Sequence, residues 1–343
     1  MAASYNIAIV GASGVVGSTI LSLLEERQFP VKKLFLLASH RSAGEVRQYQ
    51  GKPHVIENIE NFDFSQTEIC FFCTGNDISA QYAPRAAALG NLVLDKSSHF
   101  RYDDDVPLIV PEVNQDDIGR YANKNIIANP NCNTIPIVVA LKPIYDAVGL
   151  VRVNVATYQS VSGSGKEAMM ELREQTSQIL NGEEIAPKVY PQQIAFNVIP
   201  HIDQFEENGY TREEMKIVWE MHKILNDNTI AINPTAVRVP VFCGHSAAVH
   251  IETRDKITTA EALRLLKAAP GIKVITGEFP YPTPVQDAAG RDFVYVGRVR
   301  EDFSHPKGLN LWVVADNLRK GAALNAIQVA ERLIGSSLPT GRA

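Results

Sequence analysis

The sequence predicts an α/β protein in two parts. A parallel-sheet domain covered on both faces is followed by an α+β domain with a large mixed sheet. Over the first 130 residues, short apolar runs alternate with helical stretches, the order that builds βαβ units. After about residue 150, longer β-rich segments of alternating character take over. A glycine-rich turn joins the first apolar run to the first helical stretch, which fixes the opening βαβ unit.

Residues 6–10 read as a fully buried strand and 15–27 as a helix. Further strands are expected at 33–38, 68–73, 91–95 and 125–129, with a helix at 80–89. In the second part, strands are expected at 151–161, 236–242, 246–253, 293–300 and 309–315. Helices are expected at 165–181, 211–226 and 258–269, and a last one from 318. The expected domains are therefore 1–130, completed by 318–343, and 131–317.

The composition fits two globular domains: 343 residues, 45% hydrophobic and 21% charged. A net charge of −5 argues against nucleic-acid or membrane-surface partners, which select basic excess. No apolar run is long enough to span a bilayer, and the N-terminus lacks the pattern of a signal peptide. Four cysteines are too few for a disulfide scaffold, so a cytoplasmic protein is expected. Cys70 and Cys73 form a C-x-x-C on an apolar strand. No second pair completes a zinc site, so two buried cysteines are expected and no metal.

The turn Gly11-Ala12-Ser13-Gly14-Val15-Val16-Gly17 has strand–turn–helix context, the Rossmann-type setting for a pyrophosphate at a helix N-terminus. A tight turn without a ligand is the alternative. At the end of the second strand an NAD enzyme would place Asp or Glu. Here stand Ser39, Arg41 and Ser42, which suit the 2′-phosphate of NADP. Glu45 keeps NAD as a minority reading.

Cys132 lies in Asn129-Pro-Asn-Cys-Asn-Thr134, at the start of a helix marked by Asn133, Thr134 and Pro136. The positive end of that helix favours a thiolate, which makes the cysteine a candidate nucleophile. The alternative is a small apolar residue packed at a strand end. A nucleophilic thiol needs a partner. His245 follows Gly244 at a break between two strands, although a lone histidine is an ambiguous signal.

Taken together, these segments resemble the aspartate-semialdehyde dehydrogenase family over nearly the full length. Those carrying the resemblance are Gly11–Gly17, Asn129–Thr134, Thr157–Gly163, Glu213–Lys223, Arg238–Ser246, Tyr281–Pro284 and Asp316–Gly321. The resemblance implies a glyceraldehyde-3-phosphate-dehydrogenase-like architecture and a homodimer or homotetramer built through the catalytic domain's sheet. It implies NADPH-dependent reduction of L-aspartyl 4-phosphate to aspartate 4-semialdehyde through a cysteine thioester, on the route to lysine, threonine and methionine. In the roles it implies, Cys132 is the nucleophile, His245 the acid/base, and Gln159 positions the acyl group. Arg238 pairs with the substrate carboxylate, while Arg101 and Asn131 line the substrate and phosphate site. Ser162, Gly163 and Asn317 lie along the cofactor.

Within the helix expected at 211–226, Lys216, Glu220 and Lys223 share a face by their spacing. Glu220 is the residue matched to the substrate ammonium, and Lys216 and Lys223 both stand for phosphate. A row of surface ion pairs is the bland reading of that spacing. Asn133, the 73–79 loop and His99 depart from the family's usual pattern without removing a catalytic group. N-acetyl-γ-glutamyl-phosphate reductase is the neighbouring alternative. A non-catalytic NADP(H)-binding sensor is the alternative from another class.

Overall fold

The computed structural model describes residues 4–335. The chain divides into two units. Of the described residues, one is formed by those up to Asn131 and from Ala322 to Gly335, the other by Cys132–Gly321.

The first unit contains β1 (Tyr5–Val10), α1 (Val15–Glu26), β2 (Val31–Ala38), β3 (Val46–Tyr49), β4 (Lys52–Asn58), β5 (Ile69–Phe72), α2 (Asn76–Ala88), β6 (Leu92–Asp95), the short α3 (Pro111–Asn114) and β7 (Ile126–Ala128). Its sheet runs β3-β4-β2-β1-β5-β6-β7. All pairings are parallel except β3 with β4, which form an antiparallel hairpin at the edge. The sequence reading had no strands there. The hairpin is mostly exposed and carries charged and polar residues, so its period is masked. Residues Ile7–Val10 of β1 are fully buried between helical layers, as a central parallel strand requires.

Helix α2 begins four residues before its expected start, with Gly75 as N-cap. Its first turn, Asn76–Ser79, reads as loop by composition. Ser79 is nonetheless buried and donates to Asp95 Oδ1 at 2.7 Å, which ties the turn to β6.

The second unit contains α4 (Thr134–Val148), β8 (Leu150–Gln159), α5 (Lys166–Leu180), α6 (Arg212–Leu225), β9 (Ala231–Arg238), β10 (His245–Thr253), α7 (Thr259–Ala268), β11 (Ile272–Val274), β12 (Val294–Glu301) and β13 (Gly308–Ala315). The sheet order is β11-β12-β13-β10-β8-β9. The outer pairs β8–β9 and β11–β12 are parallel and the inner ones antiparallel, which makes the sheet mixed. The strand expected at 236–242 lies at 231–238 instead. Pro234 argues against a strand in sequence, but β9 is an edge strand, where proline is tolerated.

Helices α4, α6 and α7 cover one face of this sheet. On the other face lie Asn154, His250, Asn310 and Arg300, around a shallow cavity of about 300 Å³. A neighbouring cavity of about 330 Å³ is lined by Tyr281, Arg298 and Trp312.

The last helix, α8 (Leu324–Ile334), is preceded by a π-helical turn, Arg319–Ala323. Residues 336–343 of the expected C-terminal stretch lie outside the described residues. In the first unit, α8 packs its apolar face beside α1. Glu331 forms a bidentate, buried ion pair with Arg27 at the end of α1. Asn325 donates to the Ile109 carbonyl and to Asn129 Oδ1, both at 2.9 Å, and so braces the chain just after β7. No described helix is long and apolar enough to cross a membrane.

Candidate active site

In the second unit, Cys132 immediately precedes α4, whose N-cap is Asn133. The Asn133 side chain does not cap the helix. Its Nδ2 donates instead to Glu213 Oε1 at 3.2 Å and lies 3.9 Å from Cys132 Sγ. The positive end of the α4 dipole thus lies next in the chain to Cys132.

His245, 113 positions along the chain, brings Nε2 to 3.3 Å from Cys132 Sγ. It opens β10 directly after Gly244, which has φ +89° and whose added Cβ would meet Pro284 at 2.9 Å. Glycine is required there, and it aims the imidazole. On the far side of the ring, Nδ1 accepts from the Ser160 backbone N–H at 3.0 Å. The Ser160 hydroxyl is also 3.1 Å away. Burial pushes the His245 pKa down to about 3, aided by the Arg238 cation and opposed by Glu213.

Gln159 ends β8 and Arg238 ends β9, neighbours in register. Both are buried. Gln159 Oε1 accepts from the Thr157 hydroxyl at 3.0 Å, and its Nε2 donates to Glu213 Oε1 at 3.1 Å. Arg238 donates from Nη1 to the Ser160 carbonyl at 2.7 Å. Its Nε is buried without a hydrogen-bond partner, which suits a carboxylate. Lys216 reaches Asp203 at 2.7 Å and Glu213 Oε2 at 3.1 Å. Burial works to lower its pKa, but Glu213 and Asp203 outweigh that and hold it above the usual lysine value.

Ser162 and Asn317 are buried and bonded to each other. Asn317 Oδ1 accepts from the Ser160 and Ser162 hydroxyls and from the Gly244 N–H, so it anchors the residues on either side of the imidazole. Gly163 lies so close that an added Cβ would stand 3.2 Å from Arg238 Nη1 and 3.4 Å from His245.

Glu220 and Lys223 lie further along α6. On an α-helix they lie roughly 10 and 15 Å along the axis from Glu213. Glu220 is fully buried in α6. The carboxylate in the cluster is Glu213, which the sequence reading passed over. A signal was present. Thr211 and Glu214 form a capping box, so Glu214 is committed to the helix start and Glu213 is left for other work.

The first unit holds the glycine-rich turn at the end of β1. There β1 pairs with β2 on one side and β5 on the other, the switch point at which α/β sheets bind ligands. An added Cβ on Gly11 would meet the Cys73 carbonyl at 2.5 Å, and one on Gly17 the Gly11 carbonyl at 2.2 Å. Only glycine permits this turn. Gly14 caps α1 without a side-chain acceptor, leaving the N–H groups of Val15 and Val16 to an anion. Ala12 is buried beneath the turn, and Ser13 lies within it. Ser39, Arg41 and Ser42 occupy the turn after β2, with Ser39 and Arg41 exposed. Glu45 is bonded to Arg47 at 2.8 Å. Arg101 is buried and donates to the Lys96 carbonyl at 2.8 Å, and Asn131, also buried, ends the unit. Burial pushes both the Cys70 and Cys73 thiols up to about 12; Cys70 is buried as expected, whereas Cys73 is only half-buried.

Two family models match the chain. Semialdehyde dehydrogenase, NAD binding domain, spans residues 6–121, and semialdehyde dehydrogenase, dimerisation domain, spans 141–320. An aspartate-semialdehyde dehydrogenase of Shewanella sp. (strain DB6705) is 58% identical over 334 residues, covering 97% of this chain and 99% of that protein. The chain belongs to the aspartate-semialdehyde dehydrogenase family. Aspartate-semialdehyde dehydrogenase 2 of Vibrio cholerae is 56% identical, with 97% and 99% coverage. The crystal structure of aspartate semialdehyde dehydrogenase II from Vibrio cholerae, complexed with ASA, superposes with a TM-score of 0.96 at 55% identity, covering 98% of this chain and all of that one. Membership makes the chain an enzyme with a nicotinamide cofactor.

Proposed function

We propose that the chain catalyses the reversible, NADPH-dependent reduction of L-aspartyl 4-phosphate to L-aspartate 4-semialdehyde through a thioester on Cys132. The observation that carries this reading is the 3.3 Å approach of His245 Nε2 to Cys132 Sγ, inside a cluster of Gln159, Arg238, Glu213 and Lys216. The substrate bears a carboxylate, an ammonium and a phosphate, and the cluster has a counter-charge for each.

Cys132 Sγ attacks the acyl carbon and expels phosphate. Arg238 receives the α-carboxylate through a planar guanidinium whose Nε is unpaired. Glu213 is assigned to the ammonium beside the expected Glu220, because its carboxylate accepts from Asn133, next to Cys132, and from Gln159. This supports a free amine and disfavours an N-acetylated substrate. Lys216, held charged, and Arg101 are assigned to phosphate, with Asn131 beside the nucleophile in the chain. Gln159 is assigned to orienting the acyl group.

When bound, the reduced cofactor supplies hydride to the carbonyl carbon. The glycine-rich turn, with Gly11–Val16, would hold its pyrophosphate. Ser39, Arg41 and Ser42 would hold a 2′-phosphate, and the pairing of Glu45 with Arg47 weakens the NAD reading. Ser162, Gly163 and Asn317 are retained as cofactor-side residues. Residues 1–130 with 318–343 are accordingly assigned to NADP binding and 131–317 to catalysis and dimerisation. A cytoplasmic homodimer or homotetramer is the expected form, supported by the dimerisation-domain match and the half-exposed sheet face around His250 and Trp312.

The testing experiment is a phosphate-dependent assay with aspartate semialdehyde and with its one-carbon-longer acetylated analogue. Turnover with the first and not the second is expected. Preference for the analogue would replace this reading with the N-acetyl-γ-glutamyl-phosphate reductase one.

A further inference from the structure

We propose that Tyr190 is a positioning residue whose ring holds the Arg238 guanidinium in the plane in which it receives the substrate α-carboxylate. The inference rests on the role given to Arg238 above, and adds the residue that keeps that side chain ready.

Arg238 is buried, and among the described residues it forms no ion pair. Its Nη1 donates to the Ser160 carbonyl at 2.7 Å, while Nε is buried without a partner. One hydrogen bond fixes a point and not a plane. A buried charge also needs compensation for the water it has lost. Tyr190 meets both needs. Arg238 Cζ stands over its ring, 5.9 Å from the centroid, within the reach of a cation–π contact. The ring closes one face of the guanidinium and leaves the Nε edge for a carboxylate.

Tyr190 is carried by a stretch with no helix or strand of its own, so the backbone N–H groups there need other acceptors. Two buried side chains of α5, Glu171 and Gln175, supply them. They are four apart and share a face of the helix. Glu171 accepts from the N–H groups of Lys188 and Val189. Gln175 accepts from those of Ile194 and Ala195, at 2.9 and 3.1 Å. Gln175 also donates to Glu171 at 2.8 Å, which joins the two into one clamp. Tyr190 lies between the clamped pairs and packs on the apolar cluster of Val161, Leu172, Ile194 and Ile199.

The same stretch holds the main chain of Arg238. Ile199 and Arg238 exchange both backbone hydrogen bonds, at 2.9 and 2.8 Å. One clamped loop therefore fixes the arginine at its backbone through Ile199 and at its head through Tyr190. Within Tyr190 the ring carries this role. Its hydroxyl is buried near Ser164 without a hydrogen bond of good geometry, which destabilises rather than anchors.

The test is steady-state kinetics of the full-length enzyme with phosphate, NADP⁺ and either of two aldehydes. One is aspartate semialdehyde. The other is 3-aminopropanal, which lacks the carboxylate that Arg238 receives. Tyr190→Leu should raise KM for aspartate semialdehyde roughly 5- to 30-fold, the scale of a desolvated cation–π contact, with kcat nearly unchanged. KM for NADP⁺ and phosphate should stay within about twofold of the parent, and so should kcat/KM for 3-aminopropanal, or its Ki where turnover is too slow. Tyr190→Phe should restore the parent KM, because it keeps the ring. Tyr190→Met, which keeps bulk without a ring, should behave as Tyr190→Leu, and KM does not depend on the fraction of enzyme that folds. Equal losses with both aldehydes would make Tyr190 an ordinary packing residue and overturn the proposal. An unchanged KM in Tyr190→Leu, or a rise in Tyr190→Phe as large as in Tyr190→Leu, also overturns it. A parent enzyme inactive on aspartate semialdehyde would overturn the reaction itself, and this inference with it.

Discussion

Gln159 and Asn133 donate to the same oxygen of Glu213, at 3.1 and 3.2 Å, while Lys216 bonds the other. One carboxylate thus ties the end of β8 to the residue after the nucleophile and to the first turn of α6. Its negative charge is what holds three donors together. Glu213→Gln keeps the shape and removes the charge. Charge-assisted hydrogen bonds of this kind contribute about 1.5–3 kcal/mol, so kcat/KM should fall roughly 10- to 100-fold, with a drop in Tm of a few degrees. Glu220→Gln, at a fully buried site in α6, should lower Tm and affect kcat/KM less. Steady-state kinetics beside thermal melts would check both, and a larger kinetic loss in Glu220→Gln would return the ammonium site to that residue.

His245→Asn removes the imidazole nitrogen that faces Cys132 Sγ at 3.3 Å. Turnover should drop by roughly 10²-fold or more, the usual scale for a positioned acid/base. Near-normal turnover would exclude His245 from the chemistry.

The same histidine makes a prediction about acid stability. Its pKa is pushed from 6.5 down to about 3 in the folded state. Between those values the unfolded chain binds the proton and the folded chain does not. Stability therefore falls as pH drops from about 6.5 toward 3, with the sign given by proton linkage. Denaturant midpoints measured at several pH values should show a shallower loss in His245→Asn than in the parent. Equal slopes would show that His245 is not the group responsible.

How much of this was legible in sequence depends on where each residue's signal lies. The first βαβ unit was readable because Ile7–Val10, the glycine turn and α1 each satisfy one local rule. Cys132 and His245 each carry only a moderate local signal, and the resemblance pairs them; the 3.3 Å approach itself is a product of β10 and α4 meeting, which no local pattern encodes. The β3–β4 hairpin was missed because its exposed strands lack an apolar face. β9 was displaced because Pro234 reads as a breaker unless the strand is known to be an edge. Glu220 stands for the ammonium by its match to the family, and Glu213 carries no such signal in sequence. Its contacts come from Gln159 and Asn133, which lie on other elements.

Cofactor choice hangs on the turn after β2. Arg41→Ala should raise KM for NADPH and leave that for NADH nearly unchanged, because only the 2′-phosphate is lost as a partner. The check is a steady-state comparison of both cofactors in parent and variant. Higher catalytic efficiency with NADH in the parent protein would reverse the assignment.

The most direct test of the central claim weighs the protein itself. The enzyme is incubated with aspartate semialdehyde and NADP⁺ in the absence of phosphate, then analysed by intact mass and peptide mapping. The account predicts an aspartyl adduct on Cys132 that disappears on adding phosphate and is not formed by Cys132→Ser. No adduct, together with full turnover by Cys132→Ser, would contradict the thioester mechanism.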